Sequence, residues 1–279
     1  MLIRNATTML LACGCILALF AAGGGCAPQP PTLHVATLNI AHGRGPGFNP
    51  VNLSDASFRN NLDRIAQVLL RERPDVVALQ EIDAGSFWSG GFDHTHYLQQ
   101  AAGFTHRHLG LHVDAEKMGM RLQYGTALLA RQPLDSPTSH AFHLDALDTK
   151  GFVTARVKLD GRPLLVVSVH LDARTAKRRR QQAQHLIDRL PMAGLPIVLL
   201  GDLNSTWNDD GATRLLAQHL HLRAYEPDSS QWPTFPSTEP ADRIDWIMIS
   251  PQLEFVEHRL WPDRVSDHLG LTAILRWRQ

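Results

Sequence analysis

The body of this chain has no cysteine. All three cysteines, Cys13, Cys15 and Cys26, fall within the first 26 of 279 residues, so no disulfide framework is available and the core must be held by packing alone. An excess of charge of either sign is missing too: 27 Lys and Arg balance 27 Asp and Glu, for a formal net charge of zero. No global field therefore steers the protein toward nucleic acid, although a local basic patch could. Beyond the N-terminus there is no Pro/Ser/Gly linker, internal repeat or low-complexity run. With 44% hydrophobic residues, one large domain is the expected organisation.

Long apolar runs are also scarce. The run from Met9 to Ala22 is shorter than the roughly 20 residues a bilayer span wants. It follows Arg4 and precedes the small residues Gly23-Gly-Gly-Cys26, which is the order of an export signal over 1–26. Cys26 is placed like the lipidated cysteine of a bacterial lipoprotein box, although Gly23 stands where that box carries Leu, Val or Ile. Leu10-Leu-Ala-Cys13 fits the box better but lies too early to leave an apolar core ahead of it. Simple cleavage near Ala27 and an uncleaved anchor are the alternatives. The expectation is lipidation at Cys26, a short Pro-rich tether over 27–32, and export to the bacterial cell envelope with a lipid anchor in the membrane.

The domain from Leu33 to Gln279 alternates strand and helix signals. Its centre is Pro196-Ile-Val-Leu-Leu200 followed by Gly201-Asp-Leu-Asn204: a short, β-branched strand ending in a carboxylate and a carboxamide on alternate residues. Alternate residues of a strand share a face, although Gly, Asp and Asn are equally turn formers. Further strands are read at Leu33–Ile40, Asp75–Glu81, around His106–Leu109, at Tyr124–Ala130, Phe152–Leu159, Leu164–His170, Arg243–Ile249 and Gly270–Leu275. Asp160-Gly161 signals a hairpin. Apolar residues at Phe58, Leu62, Ile65, Val68 and Leu69 recur at three- and four-residue spacing and predict a helix from Asp55 to Arg73, stopped by Pro74. Shorter helices are expected near Tyr97–Ala102, at Thr175–Leu190 and up to about His219. The result is an α/β class with mixed or antiparallel sheets.

Taken one at a time, the polar residues at these strand ends have ordinary structural explanations. Glu81 could be a salt bridge, His170 a hydrogen-bonded structural histidine, Phe87 and Trp88 packing residues, and Lys177-Arg-Arg-Arg180 a solvated helix face. Together they include Asn39, Glu81, His170, Asp202, Asn204, Asp245, Asp267 and His268. Four carboxylates share a small pocket only if a cation neutralises them or protons are taken up. Oxygen-rich ligands without cysteine suit Mg²⁺, with Mn²⁺ or Ca²⁺ possible; zinc would want more nitrogen or sulfur.

Thr37-Leu-Asn-Ile40, Leu79-Gln-Glu81, Tyr124-Gly-Thr-Ala-Leu-Leu, Ser168-Val-His-Leu171, Gly201-Asp-Leu-Asn204, Pro233-Thr-Phe, Arg243-Ile-Asp-Trp-Ile247 and Ser266-Asp-His268 follow one another in an order that resembles the endonuclease/exonuclease/phosphatase family, over nearly all of 33–279. The resemblance implies a four-layer α-β-β-α sandwich of two mixed, mostly antiparallel sheets, with the site at one end. It implies that Glu81 binds the divalent metal with Asn39 and Asp267 nearby, and that Asp202 activates or orients water. Asn204 would hold a phosphate oxygen, His268 oriented by Asp245 would contact the scissile phosphate, and His170 would act on the phosphate or the leaving group. Gly151-Phe-Val stands where a basic residue is commoner, so one phosphate contact is expected to be missing or moved. A membrane-inserting aromatic hairpin and an added DNA-binding region are not evident. The expected protein is a monomeric metal-dependent phosphoesterase, acting on nucleic acid, phospholipid or a small phosphate ester. For a lipid substrate, tethering at Cys26 would bring the site near headgroups. The competing expectation is a surface binding protein that kept the fold and lost the chemistry.

Overall fold

A strand that opens on an apolar run and closes on a polar residue is the repeated unit. The computed structural model describes residues 30–47, 53–190, 194–208 and 211–279. The segment read as an export signal, Cys26 and the first part of the expected tether lie outside the described residues. Within Pro31–Gln279, one compact unit, the chain runs β1 (Leu33–Asn39), α1 (Asp55–Glu72), β2 (Val76–Asp83), α2 (His94–Ala101), β3 (His106–Lys117) and β4 (Met120–Ala130). It continues through β5 (Asp135–Ala141), β6 (Gly151–Leu159), β7 (Arg162–His170), α3 (Ala176–Arg189), β8 (Ile197–Asp202) and α4 (Ala212–His219). It closes with β9 (Arg223–Ala224), β10 (Asp245–Ile249), β11 (Leu253–Leu260) and β12 (Leu271–Trp277).

Two six-stranded sheets result, ordered β11-β12-β1-β2-β4-β3 and β5-β6-β7-β8-β10-β9. Each has one parallel pair, β1 with β2 and β7 with β8, among antiparallel neighbours. A parallel pair needs a crossover, and α1 and α3 supply these. Helix α1 starts at Ser54, whose hydroxyl accepts from the Ser57 N–H, and stops at Arg73, which is left-handed just before Pro74; both ends follow ordinary capping rules. The hairpin between β6 and β7 turns through Asp160 and Gly161, both at positive φ, as a two-residue turn matched to strand twist requires.

Val35, Val76, Leu128, Val166, Leu200, Ile247 and Leu275 meet between the sheets. On the outer faces, Leu62, Ile65 and Leu69 cover Leu38 and Leu79, while Ala183, Leu186 and Leu216 cover Val167 and Leu199. The layers are therefore helix, sheet, sheet, helix, as expected. Three strands escaped the sequence reading. β5 is an exposed edge carrying Pro137, β9 has two residues, and β11 is broken by a bulge between Phe255 and Glu257, which spoils its alternation.

Both parallel pairs point their C-terminal ends the same way. Asn39, Glu81, His170 and Asp202 thus reach one end of the sandwich, where β10 begins with Asp245 paired to Asp202.

Candidate active site

Gly201 sets the β8 end. A Cβ there would lie 1.9 Å from the Val169 carbonyl oxygen, and its φ is +147°; no other residue fits so close an approach. Asp202 follows, fully buried. Its Oδ2 accepts from Asn39 Nδ2 at 2.9 Å and faces His170 Nε2 at 3.3 Å and His268 Nε2 at 3.8 Å. Its Oδ1 accepts from the Asn204 N–H at 2.9 Å. Asn204 is left-handed, at φ +47°, and its amide donates to the Leu171 carbonyl at 3.0 Å. The tetrapeptide is thus both things the sequence allowed. It is an Asx turn as well as a site, and Asn204 gets its position from the turn, not from strand alternation.

Glu81 is presented differently. Strand β2 shifts register against β4 between Gln80 and Ile82, and Glu81 sits at the shift with φ +51°. A bulge re-aims a side chain, which is why Glu81 leaves the regular alternation of the strand. Lys150 Nζ lies 3.2 Å from Glu81 Oε1 and 3.2 Å from His170 Nδ1. His42 Nε2 and Arg44 Nη2 stand 3.5 and 3.9 Å from Glu81 Oε2. Burial would raise the Glu81 carboxyl, but Lys150 and His42 overcome it and hold it well below the usual range.

The two histidines are driven in opposite directions. Burial and the Lys150 ammonium push His170 down, so it is neutral near pH 7. That fits an Nε2–H facing Asp202 and an Nδ1 accepting from Lys150. His268 is also buried, which would lower it, yet Asp245 and Asp202 raise it to about 10. Its Nδ1 donates to Asp245 Oδ2 at 2.8 Å. Asp202, against burial, is held down to about 2 by His268 and His170. Divergent protonation of paired groups is how acid and base roles are divided.

Residues 36–268 match the endonuclease/exonuclease/phosphatase family profile. The chain belongs to this family. Its fold is also that of solved members: an endonuclease/exonuclease/phosphatase from Beutenbergia cavernae (TM-score 0.67, 24% identity, 88% of this chain and 72% of that one) and a mannosyl-6-phosphatase from Bacteroides thetaiotaomicron (0.68, 17%, 88% and 100%). The human Nocturnin catalytic domain with bound sulfate is similar in the same way (0.65, 21%, 89% and 96%). No curated protein matches the chain significantly. Membership places the protein among phosphoester hydrolases, a family that generally depends on divalent metal.

The catalytic and metal-ligand candidates read from sequence lie at this end of the sandwich: Asn39, His170 and Asn204 gather around the Asp202 carboxylate, and His268 with Asp245 forms a bonded pair beside them. Glu81 and Asp267 flank this group. Among the described residues, Asp202, Asp245 and His268 bring ligand-type atoms within 4.8 Å of one another. We read that trio as an ion network, because the imidazolium already supplies its positive charge. Glu81 and Asp267 suit a dication better. Burial raises Asp267, and the Glu81 charge raises it further; its bonded partner is its own neighbour, Ser266, at 3.2 Å. Two carboxylates that repel across a buried space are what a divalent cation relieves. The amide oxygen of Asn39 accepts from the Ala41 N–H at 3.0 Å, leaving one lone pair free.

The expected gap in basic residues is corrected by Lys150, one position before Gly151, whose Nζ reaches the site. Glycine is required there, since a Cβ would lie 2.4 Å from the His140 carbonyl. His42 and Asp83, bonded Nδ1 to Oδ2 at 2.6 Å, were also missed from sequence. Positive φ at His42 has no sequence signature, although the Asp two residues beyond Glu81 was visible.

Proposed function

We propose that the protein is an exported, divalent-metal-dependent phosphodiesterase that uses Mg²⁺, with Mn²⁺ or Ca²⁺ able to replace it, and a lipid anchor at Cys26. The observation that carries the chemistry is the uncommitted Nε2–H of His268. Its nearest carboxylate oxygens, on Asp202 and Asp267, are 3.8 and 4.0 Å away, too far for hydrogen bonds. A buried imidazolium with a spare N–H between two carboxylates is a preorganised donor for an oxyanion.

In this reading Glu81 and Asp267, with Asn39, would hold the metal, which would supply Lewis-acid stabilisation of the phosphoryl oxygens and neutralise their charge. His268, fixed by Asp245, donates from Nε2 to a phosphoryl oxygen. Asp202 is ionised and accepts a proton from the attacking water. His170 and Asn204 hold Asp202 and border the phosphate. Lys150 offsets the charge of Glu81 and fixes the His170 tautomer through Nδ1. The alternative, a silent binding protein, leaves the opposed charge states of His170 and His268 without a purpose.

The test is turnover of a generic phosphodiester with Mg²⁺, with chelator, and by Asp202→Asn. Chelation is expected to abolish the rate, and Asp202→Asn to lower kcat roughly 10²–10⁴-fold, the range for a positioned base. Rates unmoved by both would overturn the reading. Mass spectrometry finding an unmodified N-terminus beyond Cys26 would remove the anchor and leave the chemistry standing.

A further inference from the structure

Beside Glu81 lies a cavity of about 280 Å³, lined by His42, Arg44, Glu81 and Trp88, which no step above employs. Trp88 is 45% exposed and its neighbour Phe87 52% exposed. Exposed aromatics on a loop are unremarkable alone. Trp88, however, is fixed: its Nε1–H donates to Asp83 Oδ1 at 3.0 Å, and Asp83 is itself buried and bonded to His42. The indole also packs near His42, centroids 5.2 Å apart, and near Tyr124 at 5.4 Å. Arg44 is pinned through Nε to the Ala41 carbonyl at 2.9 Å. The cavity therefore joins a rigid aromatic plate and a guanidinium to the carboxylate placed at the metal.

We infer that this cavity is the subsite for a planar ring joined to the scissile phosphate, a nucleobase stacked on Trp88 with its polar edge toward Arg44. The inference rests on the phosphodiesterase reading and adds the substrate class to it. A base offers a π-face to the indole and hydrogen-bonding atoms to the guanidinium. An acyl chain would instead bury His42, Arg44 and Glu81 against hydrocarbon, which is costly. The hydrogen bond that turns Trp88 inward to Asp83 also distinguishes it from a residue projecting into a bilayer.

The experiment compares, on the full chain with Mg²⁺, thymidylyl-thymidine and the matched diester in which both bases are replaced by hydrogen. Stacking on an aromatic side chain is worth roughly 5- to 150-fold per base, so the wild type should prefer the base-bearing diester at least about fivefold in kcat/KM, mainly through KM. Trp88→Ala should bring the ratio near one, and Trp88→Phe should keep most of it. Equal rates on both diesters in the wild type, or an unchanged ratio in a folded Trp88→Ala, would overturn the assignment. An equal gain from a pyranose in place of the base would make the occupant a sugar and also overturn it. Calorimetry of AMP binding gives a readout without turnover: affinity should weaken in Trp88→Ala and be retained in Trp88→Phe. If neither diester is cleaved, the phosphodiesterase reading fails, and the AMP measurement still decides the subsite.

Discussion

Two buried histidines about the same depth inside this protein have opposite fates. His268 and His258 are 5% and 6% exposed. His268 sits against Asp245 and Asp202 and is raised to about 10. His258, in β11, is stacked on Tyr225 at 4.7 Å and edged by Trp232 and Phe255. Neither of its ring nitrogens has a hydrogen-bond partner. Burial, with the Arg243 charge adding to it, lowers His258 to about 3. Arg243 makes the same point: its guanidinium lies 4.1 Å over Trp246, it donates to the Glu226 carbonyl, and burial pulls it down to about 10. Depth drives a group toward neutrality, and a carboxylate in contact reverses the outcome. The end that carries the candidate site is distinguished by its partners, not by its burial.

Removing the partner should break the contrast most visibly. In Asp245→Asn, His268 loses its orienting carboxylate, and kcat is expected to fall roughly 10²–10⁴-fold with a stability loss of about 3–5 kcal/mol, typical of a split buried ion pair. Steady-state rates and denaturant melts check both. A smaller effect is expected from Lys150→Met. Losing one charged hydrogen-bond donor to Glu81 and His170 is worth about 1.5–3 kcal/mol, or roughly 10- to 100-fold in kcat/KM, and Lys150→Arg should recover part of it. The smallest change belongs to the other histidine. The folded pKa of His258 lies below its unfolded value of 6.5, so the unfolded chain binds more protons between pH 6.5 and about 3. Its stabilising contribution is complete above pH 6.5 and is lost as pH falls toward 3. His258→Phe, which suits the aromatic box, should therefore gain on the order of 2 kcal/mol over wild type at pH 5 relative to pH 8, read as a Tm difference, with kcat unchanged.

The sequence showed most of what a period or a motif can show. Strands read from apolar runs ending in Asn39, Glu81, His170 and Asp202 are strands, and their polar ends meet. Hidden from it were features set by backbone geometry and by distant neighbours. The bulge that turns Glu81 leaves no trace in composition, because Gln80-Glu81-Ile82 continues an ordinary strand pattern. Lys150 was overlooked because its role depends on Glu81 and His170, 69 and 20 positions away. The difference between His170 and His268 could not be read from two histidines each following a polar strand end, since it comes from which charge each one touches.

One further consequence comes from where the domain begins and finishes. Leu33 starts β1 at the end away from Asn39, and Leu275 of β12 pairs with it, so both ends of the domain emerge at the rear, roughly 20 Å from the candidate site at strand rise. A fusion partner or affinity handle joined directly ahead of β1 or after β12 attaches at the face opposite the candidate site.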